Sequence, residues 1–226
     1  MVLLTTAYFP PIEYLAAIAN GCRFNPGMTE VEPAVVYIEA CEHYVKQSWR
    51  NRCRFYAADG AQTLNFPVRH EDFGKPISQM RIDWKTDWLT RHYQDELFAI
   101  LDSHPELMLD FNTQILRFFL RKTGIPADIR FTSEWEATSA DKNASTKQGS
   151  PAALDAHSVT IDGHKVTDLR EAIHPKRPNT ILKDLGLERP YWQVFSPKHG
   201  FIPGLSIMDL LFSEGPDSIC YLKELK

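Results

Sequence analysis

The chain has 226 residues, a net charge of −4, a pI near 6.1 and a hydrophobic share of 43%, enough apolar material to fill the core of a single domain. That charge argues against a dedicated nucleic-acid binder, which carries a basic excess together with its basic patch. Four cysteines, Cys22, Cys41, Cys53 and Cys220, form no CxxC pair and signal neither a zinc knuckle nor a disulfide framework; they read as reduced thiols of a cytoplasmic protein.

Met1 to Tyr8 is too short for a signal segment, lacks a basic leader and runs into Pro10-Pro11, so neither export nor membrane insertion is expected. Its apolar, β-branched run predicts a buried strand ending at a loop. Ile12 to Asn20 follows as a helix, with Gly21 as its C-cap, and strand, turn and helix make the opening half of a βαβ unit. Arg23 to Pro33 reads as a loop or insertion before a second apolar run, Ala34 to Ile38. Open α/β sheets bind ligands at the carboxyl ends of their strands, so Tyr8-Phe9-Pro10 and Glu39 to Arg52 are expected to line one crevice.

Glu39 to Phe55 (EACEHYVKQSWRNRCRF) is the densest concentration of polar, charged and aromatic side chains in the chain. As an extended segment it would place Arg50, Arg52 and Arg54 on one face, an anion cradle suited to carboxylate or phosphate. The alternative is a solvated edge strand whose arginines pair with nearby acids. Lys46, Gln47, Arg50, Asn51 and Arg52 are the binding candidates here, with Tyr8 from the first crevice wall. A metal reading through Glu39 and His43 with His70 or His92 is the weaker option, and neither a metal nor a cofactor is expected.

Asp59-Gly60 sits between two strand-like runs, Arg52 to Ala58 and Gln62 to Pro67, and predicts a β-hairpin arm. Thr86 or Asp87 can cap a helix through Leu89, Tyr93, Leu97 and Leu101. A second helix, Phe111 to Lys122, buries Ile115, Leu116, Phe119 and Leu120 and stops at Gly124. Ile129-Arg130-Phe131 reads as a short strand. Glu136 to Lys165 is too polar to offset its ordering entropy and is expected to be a mobile insertion. Asp168 to Ile173 reads as a helical turn or two, followed by the basic, proline-broken loop His174 to Pro178.

Tyr191 to Phe195 reads as a strand and Ile207 to Phe212 as a helix capped by Ser206, with Asp209 completing something close to a capping box. Between them, Lys198-His199-Gly200 to Gly204 sets two cation-capable side chains beside a helix N-terminus, a place that favours an anion. Gly200 and Ser206 join the binding candidates on that ground. Capping alone also accounts for Ser206 and the glycines. None of GxGxxG, GxxxxGK[ST], GxSxG or HExxH occurs, so the corresponding nucleotide, hydrolase and zinc readings lack a motif. The predicted fold is α/β: a mixed, largely parallel sheet with covering helices and a β-hairpin arm, forming one domain over residues 1–226.

The stretches TTAYFPPIEYLAAI, EACEHYVKQSWRNRC and KHGFIPGLSIMDLLFSEGP resemble the WbqC-like family, in the shorter form common in Bacteroidetes. Where that family often has Gln ahead of the aromatic and proline residues of its first motif, this chain has Ala7, so no role of that Gln carries over. The resemblance implies biosynthesis of O-antigen or another cell-surface polysaccharide. Two functions are consistent with it. One is a transferase acting on a nucleotide-activated amino sugar, with Lys46, Arg50 and Arg52 holding the diphosphate and Glu42, His43 or His199 as general base. The other is a non-catalytic binding or scaffolding protein of a polysaccharide assembly complex. The expected partner is a phosphorylated or nucleotide-linked sugar, without nucleic acid or membrane, and with a homodimer left open.

Overall fold

A computed structural model describes residues 1–21, 33–84, 95–135 and 158–223. Val2-Leu3-Leu4-Thr5 forms β1 (Val2–Thr5), buried on both faces as the hydrophobic run requires. After Pro10-Pro11 comes α1 (Ile12–Ala19), then β2 (Ala34–Glu39), the hairpin β3 (Arg52–Ala57) and β4 (Gly60–Asn65), α2 (Asp95–Asp102) and α3 (Met108–Thr123). The remaining elements are β5 (Ala127–Phe131), β6 (Ser158–Ile161), β7 (His164–Asp168), α4 (Ile181–Asp184), α5 (Ser196–His199), α6 (Ile207–Glu214) and α7 (Ser218–Leu222).

The main sheet has the order β5-β2-β1-β7-β6; the first four strands are parallel to their neighbours and β6 runs antiparallel to β7. The chain leaves β1 toward β2 on one side and later returns to β7 on the other. The carboxyl ends of β1 and β7 are therefore a topological switch point, the place where such sheets open a crevice. Alternation along β1 divides its side chains between two layers. Val2 and Leu4 join the main core with Leu15, Ile18, Phe111 and Phe119, while Leu3 meets Tyr37, Ile161 and Val166 on the opposite face.

Several expectations hold. The stripe of α3 is buried, and Gly124 ends the helix at φ 69°, the left-handed conformation that glycine adopts without strain. Ser206 caps α6, its Oγ accepting from Met208 N at 3.2 Å. The hairpin around Asp59 is present, as a separate two-stranded sheet and not as part of the main one.

Others are corrected. Tyr191 to Phe195 is not a strand. Its backbone bonds elsewhere, Trp192 N donating to Glu214 Oε1 at 2.8 Å and Gln193 O accepting from Ser196 N at 3.0 Å, while the Gln193 side chain exchanges two hydrogen bonds with the Ile202 backbone, both at 2.9 Å, and the Tyr191 hydroxyl donates to Asp209 at 2.6 Å. Asp209 is thereby drawn away from the capping box, and the Ser206 N–H donates instead to Arg54 O at 2.8 Å. Gly21 is not the C-cap of α1; Asn20 is, its Nδ2 donating to Ala16 O and Leu222 O.

The largest correction lies in the segment read as a mobile insertion, whose last residues build the sheet. Ser158 to Asp168 is a hairpin turning at Asp162-Gly163, with φ of 50° and 77°, and its second strand pairs with β1. Residues 136–157, the Arg23 to Pro33 loop up to residue 32, and the Thr86 or Asp87 cap fall outside the described residues.

Candidate functional site

Two charged regions lie behind the carboxyl edge of the sheet. The first is a closed ionic lattice. Glu39, the last residue of β2, is completely buried and accepts from Thr132 Oγ1 at 2.6 Å and from Arg170 Nη1 at 2.8 Å. Arg170 also grips Asp168 at the end of β7 through Nε at 3.0 Å and Nη2 at 2.7 Å. Glu42 takes both Nε and Nη2 of Arg50, a bidentate pair that is itself buried. Burial lowers the Arg170 pKa, but the hydrogen bond and charge of Asp168, with Glu39 and Glu42 nearby, leave it above its ordinary value. Burial likewise pushes Glu42 up, opposed in part by the Arg50 charge. A recess of about 90 Å³ borders this lattice between Thr5, Arg50 and Arg170.

The second region is open. A cavity of about 840 Å³ is walled by Trp49 and Arg54 on one side and Phe201, Pro203 and Gly204 on another. The loop from His174 to Asn179 and the segment from Leu187 to Tyr191 close the remainder. Backbone bonds hold these walls in place. Tyr8 N donates to Trp49 O at 2.8 Å, Ile12 N to Leu205 O at 3.0 Å, Ile207 N to Pro10 O at 2.8 Å, and Ser206 N to Arg54 O at 2.8 Å. Arg54, Lys176, Arg177, Lys183 and Arg189 give the cavity a basic lining, against two acids, Glu13 and Glu188. Among the described residues Arg54 has no hydrogen-bonded or ion-paired partner, and its charge acts on Glu13. Arg189 lies 4.8 Å above the Tyr221 ring and donates to Cys220 O.

Glu13 is the unusual member of this wall. It lies in the first turn of α1, is 6% exposed, and its Oε1 accepts from Asn179 Nδ2 at 3.0 Å. Oε2 is buried with no hydrogen-bond partner. Burial raises its pKa above the ordinary 4.5, and its own backbone N–H, Asn179 and Arg54 offset only part of that rise. Trp49, which lines both the cavity and the recess, has its Nε1 buried without a hydrogen-bond partner. His174, shared between cavity and recess, is held below its ordinary pKa by burial and by Arg177, and its Nδ1 accepts from Lys176 N at 3.1 Å. At neutral pH it is uncharged, with the proton on Nε2.

The sequence-derived candidates sit around this cavity and outside its wall. Arg50 and Glu42 are locked in the lattice, which is the acid-pairing alternative realised in the interior. Tyr8 is a core aromatic, with Phe9, Phe66 and Phe111 rings 4.6–5.8 Å away. Asn51 is buried and donates to Phe66 O at 2.8 Å, while Arg52 is half-buried at the start of β3. His43, Lys46 and Gln47 are exposed, and Lys46 lies 4.7 Å above the Phe73 ring. Lys198 and His199 both reach Ala58 O, at 3.0 and 3.1 Å, and Tyr56 donates to Gly200 O at 2.7 Å, so this loop straps the hairpin turn to α5. Ser206 is buried at its cap. Glu39, the proposed partner of His43 in the metal reading, is occupied by Arg170 and Thr132.

What the two long motifs do bring together are their neighbours. Trp49 and Arg54 from the first meet Phe201, Pro203 and Gly204 from the last in one cavity wall. Glu13, His174 and Arg170 were missed. Their signals are a lone acid inside the apolar helix IEYLAAIA and a basic run, HPKR, near Arg170.

An α/β protein with a ligand-sized cavity beside the carboxyl edge of a largely parallel sheet is the class that this fold and site define. Residues 6–221 match the sequence profile of the WbqC-like protein family, and the chain belongs to that family. The family associates it with polysaccharide or O-antigen biosynthesis. No curated protein and no solved structure matches the chain significantly. Among the described residues, no helix is long and apolar enough to cross a membrane.

Proposed function

We propose that the protein is a cytoplasmic transferase of cell-surface polysaccharide biosynthesis that binds a nucleotide-linked amino sugar in the cavity beside α1. The observation that carries this reading is the cavity itself: about 840 Å³, with aromatic walls and five cationic side chains against two acids. A nucleoside diphosphate has the matching chemistry, a flat base for Tyr191, Phe201 or Tyr221 and two phosphates for guanidinium groups. In this reading the anion-holding role belongs to Arg54, Lys176 and Arg189, since Arg50 already serves Glu42 and Arg177 is paired with Glu171 at 2.8 Å. A carboxylate in the wall is the group that would accept a proton from an attacking hydroxyl or amine.

The test is calorimetry with a panel of nucleoside diphosphate sugars against wild type and Arg54→Ala, followed by turnover assays on any sugar that binds. Binding that weakens at least tenfold in the variant supports the reading; absence of binding across the panel contradicts it. A non-catalytic scaffolding role has one observation in its favour, the exposed side chains of Trp192, Val194 and Phe212 beside a second groove. Binding without turnover would favour it.

A further inference from the structure

We infer that the outer edge of β4 is a dimerisation surface, on which a second copy of the chain adds its own β4 antiparallel across a two-fold axis. This does not depend on what the cavity binds. The starting point is the direction of the hairpin's backbone groups. Arg54 O accepts from Ser206 N at 2.8 Å, and the Tyr56 N–H donates to the Asp209 carboxylate, so Arg54, Tyr56 and, by alternation, Arg52 turn their backbone groups away from β4. Their register partners on β4 are Thr63, Ala61 and Asn65. Residues opposite one another in an antiparallel pair point their N–H and C=O groups both inward or both outward. Ala61, Thr63 and Asn65 therefore present theirs on the outer edge of β4, where all three residues are exposed and none of these groups is bonded among the described residues.

The outer strands of the main sheet carry the devices that keep strands from pairing. β5 has Asp128 and Arg130 among its five residues, and β6 is only four residues long. β4 (GAQTLN) has six residues, no charge and no proline, and it belongs to a sheet of two strands, an arrangement that is marginal on its own.

The occupant that fits this edge is a second copy. Antiparallel pairing centred on Thr63 sets Thr63 against Thr63 and Ala61 against Asn65, so every outward group finds its partner within one short window, and Pro67, which lacks an N–H, lies beyond it. Charge agrees with that register. Asp59 stands at the turn and Arg69 past the other end, so each Asp59 comes to the side of the other copy's Arg69. The link of Arg69 to Glu71 is long, 3.8 Å, and Arg81 holds Glu71 at 2.7 Å. Gln62 and Leu64 line the groove that exposed Val194 and Phe212 also line, and residues paired across antiparallel strands point the same way, so the two grooves come onto one face. That face offers apolar area beyond the ladder, which alone is small against the roughly 1,200–2,000 Å² of a stable interface. The product is a four-stranded sheet across two copies, and β3, which it backs, carries Arg54 into the cavity wall.

The experiment is sedimentation velocity of the full chain, from about 1 to about 100 μM, as wild type and Thr63→Pro, with oxidative cross-linking of Thr63→Cys beside it. Wild type is expected to reach twice its chain mass of 25.9 kDa within that range. Because the Thr63 N–H faces away from β3, Thr63→Pro takes no bond from the hairpin yet removes both central bonds of the dimer, and it should raise the dissociation constant at least tenfold. Thr63→Cys sets two Cα atoms about 5.5 Å apart across the axis, within disulfide range, and should give a covalent dimer in higher yield than wild type. A wild type that stays monomeric to about 100 μM overturns the inference and leaves the edge to a strand of another protein. A dimer that survives Thr63→Pro, or Thr63→Cys that cross-links no better than wild type, overturns it as well. Should Thr63→Pro fail to fold, the cross-linking of Thr63→Cys decides alone.

Discussion

The ionic lattice and the cavity share Trp49, His174, Pro175 and Arg177 in their adjoining walls, yet they use charge in opposite ways. In the lattice every carboxylate faces a guanidinium: Glu42 with Arg50, Glu39 and Asp168 with Arg170. In the cavity wall, cations outnumber acids, Arg54 stands unpaired among the described residues, and Glu13 has an unmet oxygen. Paired charge ties the ends of β2 and β7 together, whereas in the cavity lining Arg177 is paired with Glu171 and Arg54 is not paired among the described residues. The same contrast separates Glu13 from Asp72, another buried acid. The Asp72 carboxyl is held far below its ordinary range by Arg81 and Lys75, which bond it at 2.6–2.9 Å.

The largest effect is expected at Arg170. Replacing it with Ala strands Glu39 and Asp168 in the interior, and loss of one partner of a buried pair typically costs about 3–5 kcal/mol. Urea unfolding of Arg170→Ala should show a loss of that size, and a loss below about 1 kcal/mol would mean that the lattice is not the structural element described. Across the shared wall, Arg54→Ala should do the reverse. It should leave unfolding almost unchanged and remove about 1.5–3 kcal/mol of binding to a nucleoside diphosphate sugar, read by calorimetry.

Glu13→Gln sharpens the contrast through pH. Because burial lifts the Glu13 pKa above 4.5, folded protein keeps a proton that the unfolded chain releases as the pH climbs past that value. Its stability contribution is thus complete below pH 4.5 and is lost as the pH rises through the folded pKa. Thermal melts should show Glu13→Gln gaining on wild type from acidic to neutral pH, and a gap that shrinks over that range would contradict the unpaired state of Oε2. Lys46→Ala, an exposed cation outside both regions, should change stability by no more than about 0.5 kcal/mol and leave sugar binding intact.

Much of the fold was legible from local signals: β1 and β2 from continuous apolar runs, the Asp59 hairpin from its Asp-Gly turn, and α1 and α3 from helical apolar spacing. The second hairpin was hidden by composition, since the polar stretch before it masked an Asp-Gly turn at residues 162–163. For the site, the stretch from Glu39 to Phe55 reads as an anion cradle, but sequence does not say which cation pairs with an internal acid. Arg170 lies 131 positions from Glu39, so its claim on that carboxylate exists only in the folded chain. Glu13 was legible in principle. Ile12 to Ile18 is buried all round, and an acid inside such a helix requires either a partner or a purpose.

The proposed ligand site is the cavity between Trp49, Arg54 and the His174 to Tyr191 segment, and not the surface around Lys46 and Arg52. A crystal structure of the protein grown with UDP-glucosamine tests it most directly. The expected result is the diphosphate in this cavity, within hydrogen-bond reach of Arg54 or Lys176. Nucleotide bound elsewhere, with this cavity empty, would contradict it.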